Sequence, residues 1–192
     1  MKKLFVLLFA ASSALVTLNA SAQTWTADKA HSKLGFSITH LMVSDVEGSF
    51  KNFTSTITSA KADFSDAVIE LSADVNSVNT EDDKRDGHLK SADFFDAAKY
   101  PALTFKSTSV KKVSANKYKV GGLLTLHGVT KPVVLDATLR GTTTNPQSQK
   151  TIAGFKVTGT IKRADYALGT KYPTAMLSDE IALIANTEFV KN

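Results

Sequence analysis

The 192-residue sequence predicts an all-β protein, a barrel or sandwich of antiparallel strands around one greasy interior. Two observations carry this. Apolar and polar residues alternate in several separate stretches, and no stretch long sustains the three-and-four spacing of an amphipathic helix. In addition, turn-forming residues punctuate these stretches at short intervals, which favours an up-and-down meander that hides its edges by closing on itself.

Taken in order, the chain opens with Met1, Lys2 and Lys3, an apolar run from Leu4 to Leu18, and the small residues Ala20, Ser21 and Ala22. This is the pattern of a secretory signal peptide cleaved near Ala22. The expectation is a leader over 1–22, one domain over 23–192, and a periplasmic or secreted mature protein. The sequence contains no cysteine, which excludes disulfides, thiolate nucleophiles and cysteine-based metal sites. Without Lys2 and Lys3, the formal charge falls from +5 to +3, too little to imply a partner.

The strands follow from the alternation. Leu34, Phe36, Ile38 and His40 share one face; Lys33, Gly35, Ser37 and Thr39 share the other. Ile69, Leu71, Ala73 and Val75 form a second inward set, and Leu103 and Phe105 begin a third. Tyr118, Val120, Leu124 and Leu126 give another, as do Val133, Leu135, Ala137 and Leu139. Phe155, Val157, Gly159 and Ile161, with Arg163 in the same parity, precede a last strand with Ile181, Leu183, Ala185 and Phe189 inward. Alternation stops from Thr80 to Ala98. There Thr80 is placed to cap a helix whose first turn holds Glu81, Asp82 and Asp83, with Gly87 as an interruption. One or two short helices across a barrel opening are expected. Gly121, Gly122, Gly154 and Gly159 imply either sharp sheet bends or close approach of a ligand.

Few residues carry a chemical signature. Asp28, His31 and Ser32 resemble a compressed hydrolytic triad, but neighbours on an extended strand point to opposite faces, so a polar strand cap is the better reading. His31, His40, His88 and His127 lack the short spacing of a metal-ligand pair. An inward Arg163 requires a partner, for which Asp165 and Asp28 are the candidates. Lys111, Lys112, Lys117 and Lys119 read as solvated edge-strand lysines rather than a nucleic-acid patch. No phosphate loop, nucleophile elbow or zinc signature is present.

The succession Trp25, Asp28, His31-Ser32, Phe36, His40, Gly48, Phe50, Arg85-Asp86-Gly87-His88-Leu89, Asp93-Phe94-Phe95, Tyr100-Pro101, Gly122 to Pro132 and Arg163-Ala164-Asp165-Tyr166 resembles the YceI-like, polyisoprenoid-binding family. The resemblance covers essentially the whole mature chain. It departs after the Arg-x-Asp motif, where the family usually has Phe and Gly and this chain has Tyr166 and Ala167. The resemblance implies an extended, lipocalin-like antiparallel barrel of eight strands that holds a long isoprenoid, quinone-like or fatty amphiphile in a tunnel. It implies an exported protein, and with no enzymatic or metal motif found the expectation is a carrier that is not an enzyme and has no cofactor or metal. It is compatible with a homodimer and with transient contact to a membrane or an acceptor protein.

On this reading the ligand-binding lining comprises Leu34, Phe36, Ile38, His40, Phe50, Ile69, Leu71, Phe94, Phe95, Phe105, Leu124, Leu126, Phe155, Val157, Ile161, Arg163 and Leu183, with Phe94 and Phe95 near a gate. Three alternatives stay open from the residues alone. They are a barrel with a packed core that serves as a structural or partner-binding module, a lipid-modifying enzyme using His40, His88 or Asp93, and capture of a metal or haem by histidines.

Overall fold

The computed structural model describes residues 21–192, so the expected leader lies almost wholly outside the described residues. Eleven strand segments form one sheet: β1 (Gln23–Ala27), β2 (Lys33–His40), β3 (Ser44–Phe50), β4 (Phe53–Ser59), β5 (Val68–Asp74), β6 (Val78–Asn79), β7 (Ala102–Lys112), β8 (Lys117–Leu126), β9 (Val129–Thr144), β10 (Thr151–Lys162) and β11 (Leu177–Lys191). Among the described residues a single α-helix, α1 (Asp83–Lys90), lies between β6 and β7.

The register reduces eleven segments to eight staves. β11 pairs with β2 over most of its length and with β1 at its end, so β1 and β2 are one strand interrupted at 28–32. β4 pairs with β1 and β3 pairs with β2, which makes β3 and β4 one strand bent at Lys51 and Asn52. β5 and β6 join in the same way across a 3-10 turn at Val75–Ser77, which Asp74 caps by accepting from the Asn76 N–H. With β7 to β11 these form a closed, sequential, antiparallel meander of eight strands, the all-β barrel expected from the alternation. Closure removes the exposed sheet edge that an open meander would keep.

Since consecutive staves alternate in direction, the connections sort to two ends. One end, here the floor, carries the loops at 60–67, 113–116 and 145–150 together with the start of β1 and the end of β11. The other, the mouth, carries the β2–β3 turn at 41–43, the α1 segment, the β8–β9 turn and the 163–176 segment.

Several details differ from the sequence reading. The first strand begins at Gln23 and not near Lys33, because Trp25 packs into the floor while Asp28–Ser32 break the stave. The helix cap is Asp82, whose carboxylate accepts from the Arg85 N–H; the Thr80 hydroxyl instead donates to the buried carboxylate of Asp86. Gly87 sits inside α1 and does not end it. Lys112 and Lys119 are not edge residues, because β7 and β8 are interior staves, and they pair with Asp63 and Asp136 at 2.8 and 2.7 Å. Register shifts fall at Ser107/Ser109, opposite Gly121 and Gly122, and at Gly154/Phe155, where the sheet bends.

Candidate functional site: an apolar tunnel

The inward faces of the staves enclose a cavity of about 430 Å³. It runs from His40, Arg85, His88, Phe94, Tyr172 and Met176 at the mouth to Phe64, Ala67 and Phe189 at the floor. Every residue singled out for the lining in the sequence faces this cavity, from Leu34 and Phe36 on β2 to Leu183 on β11. The reason is geometric. For the residues on strands, period-two alternation in a barrel puts every second side chain in the interior, so the apolar parity of each strand identifies its lining; Phe94 and Phe95, after α1, and Arg163, at the start of a 3-10 turn, lie outside the strands. Missed were Phe64, Tyr118 and Tyr172, among others. Tyr118 and the β9 set were legible by parity, whereas Phe64 and Tyr172 lie in loops without periodicity.

Two glycines keep the bore open. Phe36 and Gly48 are cross-strand partners, and a Cβ on Gly48 would lie 2.3 Å from the Phe36 ring. A Cβ on Gly122 would likewise lie 2.3 Å from the Phe105 ring. Both rings therefore lie flat over bare backbone rather than standing upright across the tunnel. This close approach explains these glycines by a neighbouring ring, an account the sequence reading did not contain.

At the mouth, Phe94 stacks on Tyr172 with centroids 5.3 Å apart, and His88 meets Phe94 edge-on at 5.1 Å. The Tyr172 hydroxyl lies 3.2 Å from His88 Nε2, which also approaches Asp93 Oδ2 at 3.4 Å. The Lys171 ammonium beside Asp93, and then His88, hold the Asp93 carboxyl below its usual range. Phe95 turns inward and packs against Phe50 and Phe36 at 5.7 and 6.5 Å. Phe94 thus borders the opening, and Phe95 anchors the segment that follows α1 in the core.

Arg163 corrects the sequence reading. It is buried, but neither Asp165 nor Asp28 pairs with it. Its Nε donates to the Ser178 carbonyl, Nη1 to those of Leu168 and Gly169, and Nη2 to those of Tyr172 and Leu177. A guanidinium has five N–H donors, and all five are engaged. Arg163 therefore pins the 163–177 wall of the mouth and keeps a positive charge there, with no donor free for a head group.

Asp28, His31 and Ser32 form a staple. His31 Nδ1 donates to Asp28 Oδ2 at 2.9 Å, a bond that raises the histidine above its ordinary value. Ser32 Oγ both donates to the Glu188 carbonyl and accepts from the Glu188 N–H. The group fastens the interrupted first stave to β11. One ligand atom each from Asp28, His31 and Glu188 lie within 4.8 Å of one another on the surface, but the hydrogen bonding just described accounts for their convergence.

An eight-stave antiparallel barrel around one elongated apolar cavity defines a class of barrels that enclose a single slim ligand or a core of side chains. Within that class the YceI-like domain family matches residues 25–189, and the chain belongs to this family. Protein YceI of Salmonella newport is 39% identical over all of this chain and 99% of its own length, as is its Salmonella arizonae counterpart. Among solved structures, Campylobacter jejuni YCEI protein is 38% identical with a TM-score of 0.73, over 86% of this chain and 96% of that one. Burkholderia cenocepacia BcnA superposes with a TM-score of 0.77 at 26% identity, over 84% of this chain and 98% of that one. A polyisoprenoid binding domain from Saccharophagus degradans, 20% identical, shares the fold with a TM-score of 0.67 over 88% and 98%.

Proposed function

We propose that this chain is an exported, non-enzymatic carrier that takes one long isoprenoid, quinone-like or fatty amphiphile tail-first into the barrel. The observation that carries this reading is the cavity itself. Its walls are mostly apolar along their length, while the titratable side chains His40, Arg85 and His88 gather at the mouth, the division an amphiphile requires. The Saccharophagus degradans neighbour, a polyisoprenoid binding domain that shares this fold, agrees with it. Each CH2 transferred from water into the tunnel contributes about 0.8 kcal/mol before ordering costs, so the tail supplies the affinity. His88 and Asp93, the groups best placed for acid or base work, are engaged with Tyr172 and Lys171, which favours binding over turnover.

Exchange is assigned to the mouth. There Leu41, Met42, Val43 and Met176 are 51, 76, 82 and 42% exposed, an apolar rim suited to transient contact with a bilayer. Leu41 and Met176 are joined, since the Leu41 N–H donates to the Met176 carbonyl at 2.9 Å.

The test is solvent extraction and mass spectrometry of protein purified from its own host, against a matched control. A stoichiometric long-chain amphiphile is expected. Alanine at Phe36 or Phe155 should lower its occupancy and alanine at the exposed Lys156 should not. A protein that carries no lipid and binds none when offered polyprenyl alcohols would instead be a packed-core barrel. Turnover of an offered lipid that disappears in His88→Ala would make it an enzyme.

A further inference from the structure

The mouth and floor of the tunnel are built differently. The mouth is bordered by half-buried or exposed groups, whereas the floor is sealed by rings: Trp25 against Phe64 at 5.2 Å, Phe64 against Phe155 at 5.2 Å, and Phe155 against Phe189 at 6.0 Å. Three of these rings sit on staves, where strand geometry fixes them. Phe64 does not.

β4 ends at Ser59 and β5 begins at Val68, so eight residues span a connection that hairpins usually make in two to five. The additional length folds inward. Phe64 sits at φ 56, a left-handed conformation unusual for a bulky residue, and its side chain is only 3% exposed while it lines the cavity. The loop is fastened on both sides. The Asp66 carboxylate accepts from the Ser59 hydroxyl and the N–H groups of Ala60 and Lys61. The Lys112 ammonium pairs with the Asp63 carboxylate, and the Tyr118 hydroxyl donates to the Asp63 carbonyl at 2.7 Å. A ring held this way is a fixed stop and not a flap.

Resting on the lipid-carrier reading, we propose that Phe64 is the specificity-determining residue for tail length: the terminal carbons of the bound chain end against its ring. Affinity then grows by about fourfold per added carbon until the chain reaches Phe64, and stops growing beyond. Hydrophobicity alone sets no such limit, so the cutoff belongs to the floor.

The experiment is a ladder of straight-chain fatty alcohols differing by two carbons, titrated into the full-length mature protein and read by displacement of a fluorescent fatty probe and by native mass spectrometry. The unaltered protein should show a cutoff. Phe64→Ala should move it to longer chains, with affinity at least about tenfold higher for the first alcohols beyond the original limit and nearly unchanged for shorter ones. Phe64→Trp should move it to shorter chains. If Phe64→Ala does not fold, Phe64→Leu retains an apolar floor and should shift the cutoff by a smaller step. A cutoff that stays in place in the folded variants overturns the proposal, as does affinity that climbs without limit in the unaltered protein. Failure of the unaltered protein to bind any alcohol or the probe would overturn the carrier reading itself.

Discussion

Ala167 sits at φ 54, a left-handed conformation that favours glycine, just past the 3-10 turn Arg163–Tyr166. An L-residue with a Cβ is strained there by about 1 kcal/mol or more, and Ala167 is exposed, so its methyl group contributes little packing in return. Ala167→Gly is therefore expected to stabilise the protein by several tenths to about 1 kcal/mol in urea titration, a reversal of the usual cost of glycine. Asp63 offers a pH test. The Lys112 ammonium, and after it the hydrogen bonds from Ser65, draw its carboxyl down to about 2. A carboxyl lowered on folding contributes stability above its unfolded value, and that contribution is lost as pH falls through about 2. The stability difference between the protein and Asp63→Asn should accordingly be present at neutral pH, shrink as pH falls below the ordinary carboxylate range, and be lost as pH passes below about 2.

At the scale of the element, α1 is held by polar contacts rather than by an apolar face. Of its residues only Asp86 is buried, so the helix leans on its Asp82 cap and on the Thr80–Asp86 bonds more than on an apolar stripe. Nothing lies within 4 Å of a Cβ built on Gly87, so Gly87→Ala adds helix propensity without a clash. It should stabilise the lid by roughly 0.5–1 kcal/mol, seen as slower amide exchange across 83–90. The helix was legible as an interruption in the strand pattern, but its cap was not. Thr80 and Asp82 are both good capping types, and what separates them is Asp86, six residues beyond Thr80 on the helix itself, whose buried carboxylate takes the Thr80 hydroxyl and backbone N–H and leaves the cap to Asp82.

For the whole molecule, the mouth depends on one buried cation. Arg163→Met would remove five N–H donors and leave the Leu168, Gly169, Tyr172, Leu177 and Ser178 carbonyls to find others. The loss should be about 3–5 kcal/mol by chemical denaturation, and Arg163→Lys should recover only part of it, since an ammonium cannot fork to so many acceptors. The meander and its inward faces were readable because closure requires little beyond alternation and short turns. The partners of Arg163 were not, since a search for carboxylates in the sequence overlooks carbonyls that only a folded loop can aim. Phe64 escaped for a related reason: its inward direction comes from a left-handed residue in an eight-residue loop, and periodicity has no voice there.

The rings laid over Gly48 and Gly122 have a consequence for how such a tunnel can change. The calibre of the channel is set in part at Gly48, a position that owns no side chain, so a single methyl group there acts as a valve; at Gly122 an added Cβ would meet the Lys106 carbonyl at 2.7 Å as well as the Phe105 ring. Gly48→Ala would lift the Phe36 ring off its bed, 2.3 Å being far inside contact distance, and tilt it across the lumen. The passage would narrow while every aromatic and aliphatic side chain along it kept its identity, so the width of such a barrel can change without rewriting the wall.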